Sequence, residues 1–362
     1  MLKKSPKPRG TKSARKKVIR KPRRIKKSGV NRLALNKLRA NPIISPQPDN
    51  GWESWQTFNP GVIFLDNKIH FLYRAIGSDG LSRLGYAASN SGFGIDYKFP
   101  APAYEHQVEE RSYNVFSYFS GGSWGGAEDP RIVRVDKEEV IYMTYTACNG
   151  DLRVGLTSIK VDDFLNKKWN WKSPILISPP GEVHKNWIIF PEKINGKYAI
   201  LHSINPEVQI EYFDNLEFDP DTYINSNHGS QPRKNCWDRW VRGIGPVPIK
   251  TKYGWLVFYH AMDNDWSKYK VGAMLLDLKD PTKVLHRSTR PVLAPDQHYE
   301  NNGFKGGVVY ASGAVVKDGQ LLVYYGAADS YVCVAHADFE EFLDELRKEK
   351  QPKLKGEAMA AK

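Results

Sequence analysis

One pattern recurs five times along this chain of 362 residues, and it limits the possible folds more than any other feature. In each copy an apolar segment meets a polar turn, a second apolar segment ends in an aromatic residue, and a third returns after a loop. The copies begin roughly 50–70 residues apart, a spacing typical of four-stranded propeller blades. They read NPGVIFLDNKIHFLYRAIGSDGLSRLGYAAS, EDPRIVRVDKEEVIYMTYTACNGDLRVGLTS, FPEKINGKYAILHSINPEVQIEYF, GPVPIKTKYGWLVFYHAMDNDWSKYKVGAMLLDL and SGAVVKDGQLLVYYGAADSYVCVAHADF.

Turn residues support this interpretation, because a polar pair separates the first two apolar segments in four of the copies. The pairs are Asp66-Asn67, Asn195-Gly196, Tyr253-Gly254 and Asp318-Gly319. The sequence therefore predicts an all-β fold, a five-bladed β-propeller around a central funnel. A two-sheet sandwich is the alternative, but it would not need five equivalent units.

Charge and helical periodicity divide the chain into three parts. Residues 1–28 contain 14 Lys/Arg and no acid, so residues 1–30 are predicted to be a disordered basic tail. Residues 31–347 form the predicted catalytic propeller domain, and its last segment, DFEEFLDELRKEK, has the apolar spacing of a helix. Residues 348–362 are predicted to be a second disordered tail.

The basic tail has two interpretations. One is non-specific binding of RNA or another polyanion through counterion release, and the other is a solvated extension without a specific partner. The remaining 39 basic residues balance the 40 acidic ones, so the body of the chain is close to neutral.

The composition also narrows the location and the cofactors. No apolar run is long enough to cross a membrane, and the N-terminus lacks the apolar core of a secretory signal. The three cysteines, Cys148, Cys236 and Cys333, have no metal-binding or redox spacing. We therefore expect a cytoplasmic protein without a disulfide framework, a metal or an organic cofactor. The sequence leaves open whether it forms a homo-oligomer.

Polar and aromatic residues end corresponding strands of the copies, where a propeller would bring them together at its axis. A ring of such groups suits a sugar, although any single member is more often a core residue. The set comprises Arg74, Tyr145-Thr146, His202-Ser203, Tyr259-His260, Tyr325 and Asp329.

The segment GGSWGGAEDPRIV, residues 121–133, points to a positioned carboxylate. Its glycines permit close backbone approach or a positive φ, and Pro130 fixes the chain after the acidic pair Glu128-Asp129. An acid that works near neutral pH needs a raised pKa, which burial or Glu128 would supply and Arg131 would oppose. An ion pair between Glu128 and Arg131 that holds the loop is the structural alternative.

Several motifs together resemble glycoside hydrolase family 130, which comprises β-mannoside phosphorylases and related β-mannosidases. The resemblance runs in order from about residue 40 to 347. Its motifs are FNPGVIF, FLYRA, SRLGYAAS, GGAEDPRIV, YMTYTA, FPEKINGKYAILH, GWLVFYH and VYYGAAD.

The resemblance implies a five-bladed propeller with a single catalytic acid, Asp129. In the family's phosphorylases this acid protonates the glycosidic oxygen through the 3-hydroxyl of mannose. Inorganic phosphate, the co-substrate, attacks the opposite face and gives α-mannose 1-phosphate with inversion. Because the nucleophile is already anionic, the second carboxylate of an inverting glycosidase is not required.

The motifs also imply two sets of binding residues. Mannose contacts would be Asn59, Arg74, Arg83 and Asp329. Phosphate contacts would be Arg153, Arg242, His260 and Tyr269.

One departure from the family pattern leaves the reaction open. Ser203 stands where the phosphorylases typically have a phosphate-binding arginine. The leading prediction is an inverting phosphorylase of short β-mannosides, and the alternative is a β-mannosidase that uses water at the same site. Glu182, Glu207 and Asp238 are candidate bases for the alternative. A non-catalytic propeller that binds glycans or RNA is a third possibility, which the acid in GGAEDPR disfavours.

The sequence does not fix the linkage or the leaving sugar. Both would depend on loops such as residues 106–124, in which Tyr113, Phe116, Tyr118 and Phe119 either stack on a sugar or close the funnel.

Overall fold

This computed structural model describes residues 33–109, 120–226, 232–233, 236–263 and 268–349. Segments rich in apolar residues form strands along this described part of the chain. The fold is mostly β, as the sequence predicts. The described residues also contain three short helices: α1 Val161–Leu165, α2 His298–Asn301 and α3 Phe339–Lys348.

The described strands form four sheets, which are divided here into five units in chain order, and a short N-terminal strand, β1 Asn36–Lys37, adds to the last of them. Units 1 and 2 belong to one sheet, joined by a short parallel pairing of residues 81–82 with residues 125–126. Unit 1 contains β2 Gln56–Leu65, β3 Lys68–Ile76, β4 Leu81–Ser89 and β5 Tyr97–Tyr104. Unit 2 contains β6 Gly125–Val133, β7 Val140–Asn149, β8 Asp151–Lys160 and β9 Ile175–Leu176. Unit 3 contains β10 Ile188–Ile189, β11 Tyr198–Ser203 and β12 Gln209–Phe213. Unit 4 contains β13 Trp240–Ile244, β14 Ile249–Thr251, β15 Gly254–Met262, β16 Lys270–Leu276 and β17 Val284–Arg287. Unit 5 contains β18 Val309–Lys317, β19 Gln320–Ala327 and β20 Tyr331–Asp338.

Three of the predicted turns have the geometry of two-residue hairpins. Both residues of Asp66-Asn67, Asn195-Gly196 and Asp318-Gly319 have positive φ, which matches the twist of the strands on either side. In unit 4 the prediction is one residue too late. Strand β15 already begins at Gly254, so the turn consists of Lys252 and Tyr253.

Each unit buries both faces, because neighbouring side chains of a strand point to opposite sides. In β15, Leu256 and Phe258 pack towards unit 5, whereas Trp255 and Val257 pack towards unit 3. The described core is divided in this way into five apolar clusters, each built from two units. The pairs are units 1 and 2, 2 and 3, 3 and 4, 4 and 5, and 5 and 1.

The two ends of the described chain meet at unit 5. Strand β1 pairs with β20, where Asn36 lies opposite His336. Helix α3 begins after Asp338, whose side chain accepts a hydrogen bond from the Glu341 amide. Its apolar face buries Phe342, Leu343 and Leu346 in the cluster between units 4 and 5, which confirms the predicted C-terminal helix.

The predicted tails, residues 1–30 and 348–362, fall outside the described residues except for Lys348 and Glu349. Within the described residues, no helix combines the length and apolar character needed to span a bilayer.

Candidate active site

A cavity of about 410 Å³ contains the candidate acid Asp129. Its walls come from several units and the loops between them, so the fold gathers residues that are far apart in sequence. The described lining residues are Asn59, Ser120, Asp129, Leu152, Val183, Lys185, Asn186, Arg242, Tyr269, Lys305, Val308, Tyr310 and Asp329.

A bulge in β6 positions Asp129. The pairing of β6 with β7 shifts register between Glu128 and Arg131, and Asp129 has a φ of 46°. Non-glycine residues seldom have a positive φ, and bulges with such geometry commonly re-aim a side chain at a functional site. Asp129 itself has the positive φ at this position. The double glycines before it are therefore not what supplies that backbone conformation.

Strand β2 repeats this arrangement at Asn59. Its register shifts between Phe58 and Gly61, Asn59 has a φ of 44°, and proline follows in both strands. The two bulged residues meet in the cavity, where Asn59 Nδ2 donates a 2.8 Å hydrogen bond to Asp129 Oδ1. This contact fixes one carboxylate oxygen of the candidate acid.

A buried ion pair lies behind Asp129. Arg74 is fully buried, and its Nη2 lies 2.9 Å from Glu128 Oε1, while its Nη1 lies 3.3 Å from Asp129 Oδ1. Ser123 donates a 2.7 Å hydrogen bond to Glu128 Oε1, and Ser120 donates one to Oε2. Arg74 thus contacts both carboxylates, which the bulge brings to the same guanidinium.

Two sequence interpretations need correction here. Arg74 does not line the cavity, so it supports the acid from behind instead of forming a wall for mannose. The ion pair between Glu128 and Arg131 is wrong, because Glu128 pairs with Arg74. Arg131 donates to the backbone oxygens of Gly245 and Asp129, at 2.6 and 2.7 Å.

The pKa of Asp129 lies below its usual range. Burial alone would raise it, but the charges of Arg74, Lys185 and Arg131 and the Asn59 hydrogen bond outweigh that effect. The sequence expectation of a raised pKa is therefore wrong for the free enzyme, because the carboxylate lies among cations.

Asp329, the second described carboxylate of the cavity, shows the opposite shift. Burial raises its pKa to about 6, even though Lys305 and Arg74 act to lower it. The residue has a φ of 48°, and its backbone oxygen accepts a 2.8 Å hydrogen bond from Gln56 Nε2.

Cations line the remaining wall of the cavity. Arg242 Nε donates a 3.2 Å hydrogen bond to the Tyr269 hydroxyl, and Lys305 Nζ lies 5.4 Å from the centre of the Tyr269 ring. Lys185 Nζ donates to Ser120 Oγ at 3.0 Å. Lys185 and Lys305 were not among the predicted site residues, since a single lysine in a loop carries no spacing signal in a chain with 53 basic residues.

In addition to Arg74, four of the singled-out residues do not line the cavity. Arg83 pairs with Asp79 and Glu105 at 2.6 and 2.7 Å, and Arg153 Nε donates to the Ser178 backbone oxygen at 3.0 Å. Ser203 Oγ bonds the Asn205 backbone oxygen at 3.2 Å.

The fourth, His260, is fully buried beneath the cavity wall. Its Nε2 bonds the Ala311 backbone oxygen at 2.8 Å, and its ring stacks 3.9 Å from that of Tyr310. Burial lowers the pKa of His260 to about 3, so the ring is neutral and supports Tyr310 rather than supplying a charge. Tyr310, which the sequence prediction omitted, lines the cavity and donates a hydrogen bond to Asn186.

The predicted ring at the strand ends is also corrected, because Asp329 alone of that set lines the cavity among the described residues. Tyr145, Tyr259 and Tyr325 instead bond to Tyr104, Asp238 and Glu300 within the core. The residues of the cavity come mainly from bulges and from loops outside the regular strands.

Comparisons with known proteins agree with this arrangement. The family model for glycoside hydrolase family 130, described as beta-1,4-mannooligosaccharide phosphorylase, matches residues 33–348. A 1,2-beta-oligomannan phosphorylase from Thermoanaerobacter sp. (strain X514) is 34% identical, over 85% of this chain and 99% of that protein. A beta-1,2-mannobiose phosphorylase from the same organism is 33% identical, over 85% of this chain and 98% of that protein.

A solved structure extends the likeness to three dimensions. The beta-1,2-mannobiose phosphorylase of Listeria innocua, in complex with beta-1,2-mannobiose, superimposes with a TM-score of 0.67 at 25% identity. The match covers 87% of this chain and 99% of that one. The family resemblance is thereby confirmed: this chain belongs to glycoside hydrolase family 130 and is an enzyme that acts on mannosides.

Proposed function

We propose that this enzyme is an inverting phosphorylase that cleaves a short β-1,2-mannoside with inorganic phosphate to give α-mannose 1-phosphate. The observation that carries the proposal is one cavity in which a positioned carboxylate, Asp129, shares its walls with Lys185, Arg242 and Lys305. An anionic nucleophile needs such cations, whereas water does not. The two Thermoanaerobacter relatives and the Listeria structure support the β-1,2 linkage through their names.

In this mechanism the proton of Asp129 reaches the glycosidic oxygen through the 3-hydroxyl of mannose, which gives up one proton and takes the other as the bond from that oxygen to C1 breaks. A phosphate oxygen bonds to C1 from the opposite face, so the β-mannoside becomes an α-phosphate. Bound phosphate also places negative charge among the cations that lower the pKa of Asp129. We expect this charge to raise that pKa again and to favour the protonated acid when the nucleophile is present.

The hydrolase alternative requires a second carboxylate as base. Of its sequence candidates, Asp238 is buried between Arg233 and Arg287, and Glu182 is paired with His184. Neither these two nor Glu207 is among the described lining residues of the cavity. The geometry therefore favours phosphate over water.

The wider organisation remains part of the proposal. A five-bladed propeller over residues 31–347 is supported by the five units and by apolar clusters that join each unit to the next, including unit 5 to unit 1. A cytoplasmic location and a polyanion-binding role for residues 1–28 remain predictions. So does the absence of any cofactor besides the phosphate co-substrate.

The proposal is tested with β-1,2-, β-1,3- and β-1,4-mannobiose in the presence of phosphate. We expect mannose 1-phosphate chiefly from the β-1,2 isomer. Equal or faster release of mannose 1-phosphate from the β-1,4 isomer would contradict the proposed β-1,2 specificity. It would leave the proposed phosphorolysis intact.

Arg242→Gln should raise the KM for phosphate roughly tenfold or more, because a charge-assisted hydrogen bond contributes about 1.5–3 kcal/mol. Initial rates over a phosphate series measure this KM. Arg153→Gln is the matched comparison, since Arg153 bonds to backbone oxygens and does not line the cavity. A larger rise of the KM for phosphate in Arg153→Gln than in Arg242→Gln would contradict this expectation. It would place phosphate beside Arg153, as the motifs imply.

Asp329 should control the acidic side of the pH profile. With its pKa raised to about 6, the carboxylate that accepts hydrogen bonds from mannose forms only above that pH. We therefore expect kcat/KM for the mannoside to fall as the pH drops through about 6. The Asp329→Asn variant should have a lower kcat/KM that shows no fall near pH 6. The ionisation of phosphate itself affects the parent and the variant equally. An unchanged profile in the variant would assign the step to another group.

A further inference from the structure

Two exposed aromatic side chains lie at the glycine-rich segment Gly121–Trp124. Trp124 and Phe304 are 41% and 42% exposed, which is unusual for such large apolar groups in the described part of the chain. Clustered exposed apolar groups commonly mark a binding surface. The proposed reaction so far assigns them no role.

Phe304 lies at the rim of the cavity. The next residue, Lys305, lines the cavity, and the Phe304 amide donates a 2.8 Å hydrogen bond to Ser330 Oγ, next to the lining residue Asp329. The far edge of its ring rests on Gly122, where a Cβ would come within 2.4 Å of the ring. Gly122 has a φ of 95°, a backbone conformation that glycine adopts readily. Glycine at this position therefore permits both this conformation and the close approach of the Phe304 ring.

Trp124 is held in a similar way, two residues further along the segment. Its amide donates a 2.8 Å hydrogen bond to the Gly80 backbone oxygen, and a Cβ on Gly80 would lie 2.9 Å from Cδ2 of the indole. Gly80 therefore lies against the indole ring, which can approach it closely only because the glycine has no Cβ.

The segment itself is held at the cavity. Gln56 Nε2 donates to the backbone oxygens of Gly121 and Asp329, at 2.9 and 2.8 Å. Backbone hydrogen bonds and glycine contacts thus hold the rings of Trp124 and Phe304 at one segment beside the cavity. Side chains held in this way lose little further freedom on binding, which favours affinity.

We propose that Trp124 and Phe304 form an aromatic platform that binds the leaving-group side of a β-mannooligosaccharide. The inference rests on the proposed function, because it extends that substrate outward from the same cavity. The cavity of about 410 Å³ is near the lower end for a small-molecule site. With mannose and phosphate bound in it, the following sugars extend towards the rim, where the apolar faces of their rings meet the exposed aromatic surfaces.

The platform is tested by calorimetric titration of β-1,2-mannotriose and of free mannose into the full-length protein without phosphate. We expect Trp124→Ala and Phe304→Ala each to weaken trisaccharide binding by about tenfold, since an aromatic contact adds to the buried apolar area. Affinity for mannose should stay unchanged, and Trp124→Phe should retain most of the trisaccharide affinity. Phe64→Ala is the matched control, because Phe64 is 40% exposed and does not line the cavity.

Two results would overturn the platform. One is a trisaccharide affinity that is the same in Trp124→Ala, Phe304→Ala and the parent. The other is an equal loss of affinity for mannose and trisaccharide, which would indicate a distorted cavity. Failure of the platform is distinguishable from failure of the proposed reaction. If the parent binds the trisaccharide through these rings but releases no mannose 1-phosphate, the platform is supported and the proposed reaction is wrong. A parent that does not bind the trisaccharide loses the platform.

Discussion

Asp129→Asn should lower kcat for phosphorolysis by roughly 10²–10⁴-fold, the usual contribution of a general acid. Asparagine has nearly the same shape, and its Oδ1 still accepts the hydrogen bond that Asn59 donates to Asp129. The substitution therefore removes the proton and leaves the geometry. Initial rates of mannose 1-phosphate release measure the loss, and the KM for phosphate should change little.

An aryl β-mannoside provides the control, because its phenolate leaves without protonation. If Asp129 is the acid, the loss with this substrate should be much smaller than with β-1,2-mannobiose. Equal losses with both substrates would assign Asp129 a role other than proton donation. A variant with full turnover would refute the catalytic assignment.

Arg74→Met should destabilise the protein by about 3–5 kcal/mol, because it leaves the buried Glu128 without its cation. It should also lower activity, since Arg74 contacts the candidate acid as well. Urea unfolding measures the change in the free energy of unfolding. The double variant Arg74→Met/Glu128→Gln should recover part of that stability, because it removes both buried charges.

Arg83→Met is the matched comparison for a partly exposed ion pair. Arg83 pairs with Asp79 and Glu105 near the surface, so its loss should cost about 1 kcal/mol or less. Similar losses for the two arginines, or no recovery in the double variant, would show that the Arg74–Glu128 pair is not the support inferred here.

The strands and turns were largely predictable because their signals are local. Pairs such as Asp66-Asn67 and Asp318-Gly319 adopt the positive φ values of hairpin turns whatever surrounds them. The unit 4 turn was misplaced by one residue because Gly254 attracts a turn prediction but belongs to β15. The packing of unit 5 against unit 1 depends on distant segments, so no local pattern records it.

The site was only partly predictable, because its geometry depends on bulges. The position of Asp129 followed from its motif, but a bulge decides which side chain of a strand enters the cavity. Arg74, on a regular stretch of β3, therefore lies behind Asp129, whereas Asn59, at the β2 bulge, lies beside it. Lys185 and Lys305 reach the wall from loops that the fold brings together, and their sequence neighbours do not reveal this.

The decisive experiment analyses the products from β-1,2-mannobiose with and without inorganic phosphate. We expect α-mannose 1-phosphate and mannose in equal amounts, formed only when phosphate is present. Two free mannose molecules, released at the same rate with or without phosphate, would contradict this expectation. That result would make water the nucleophile and leave Lys185, Arg242 and Lys305 without the role assigned to them.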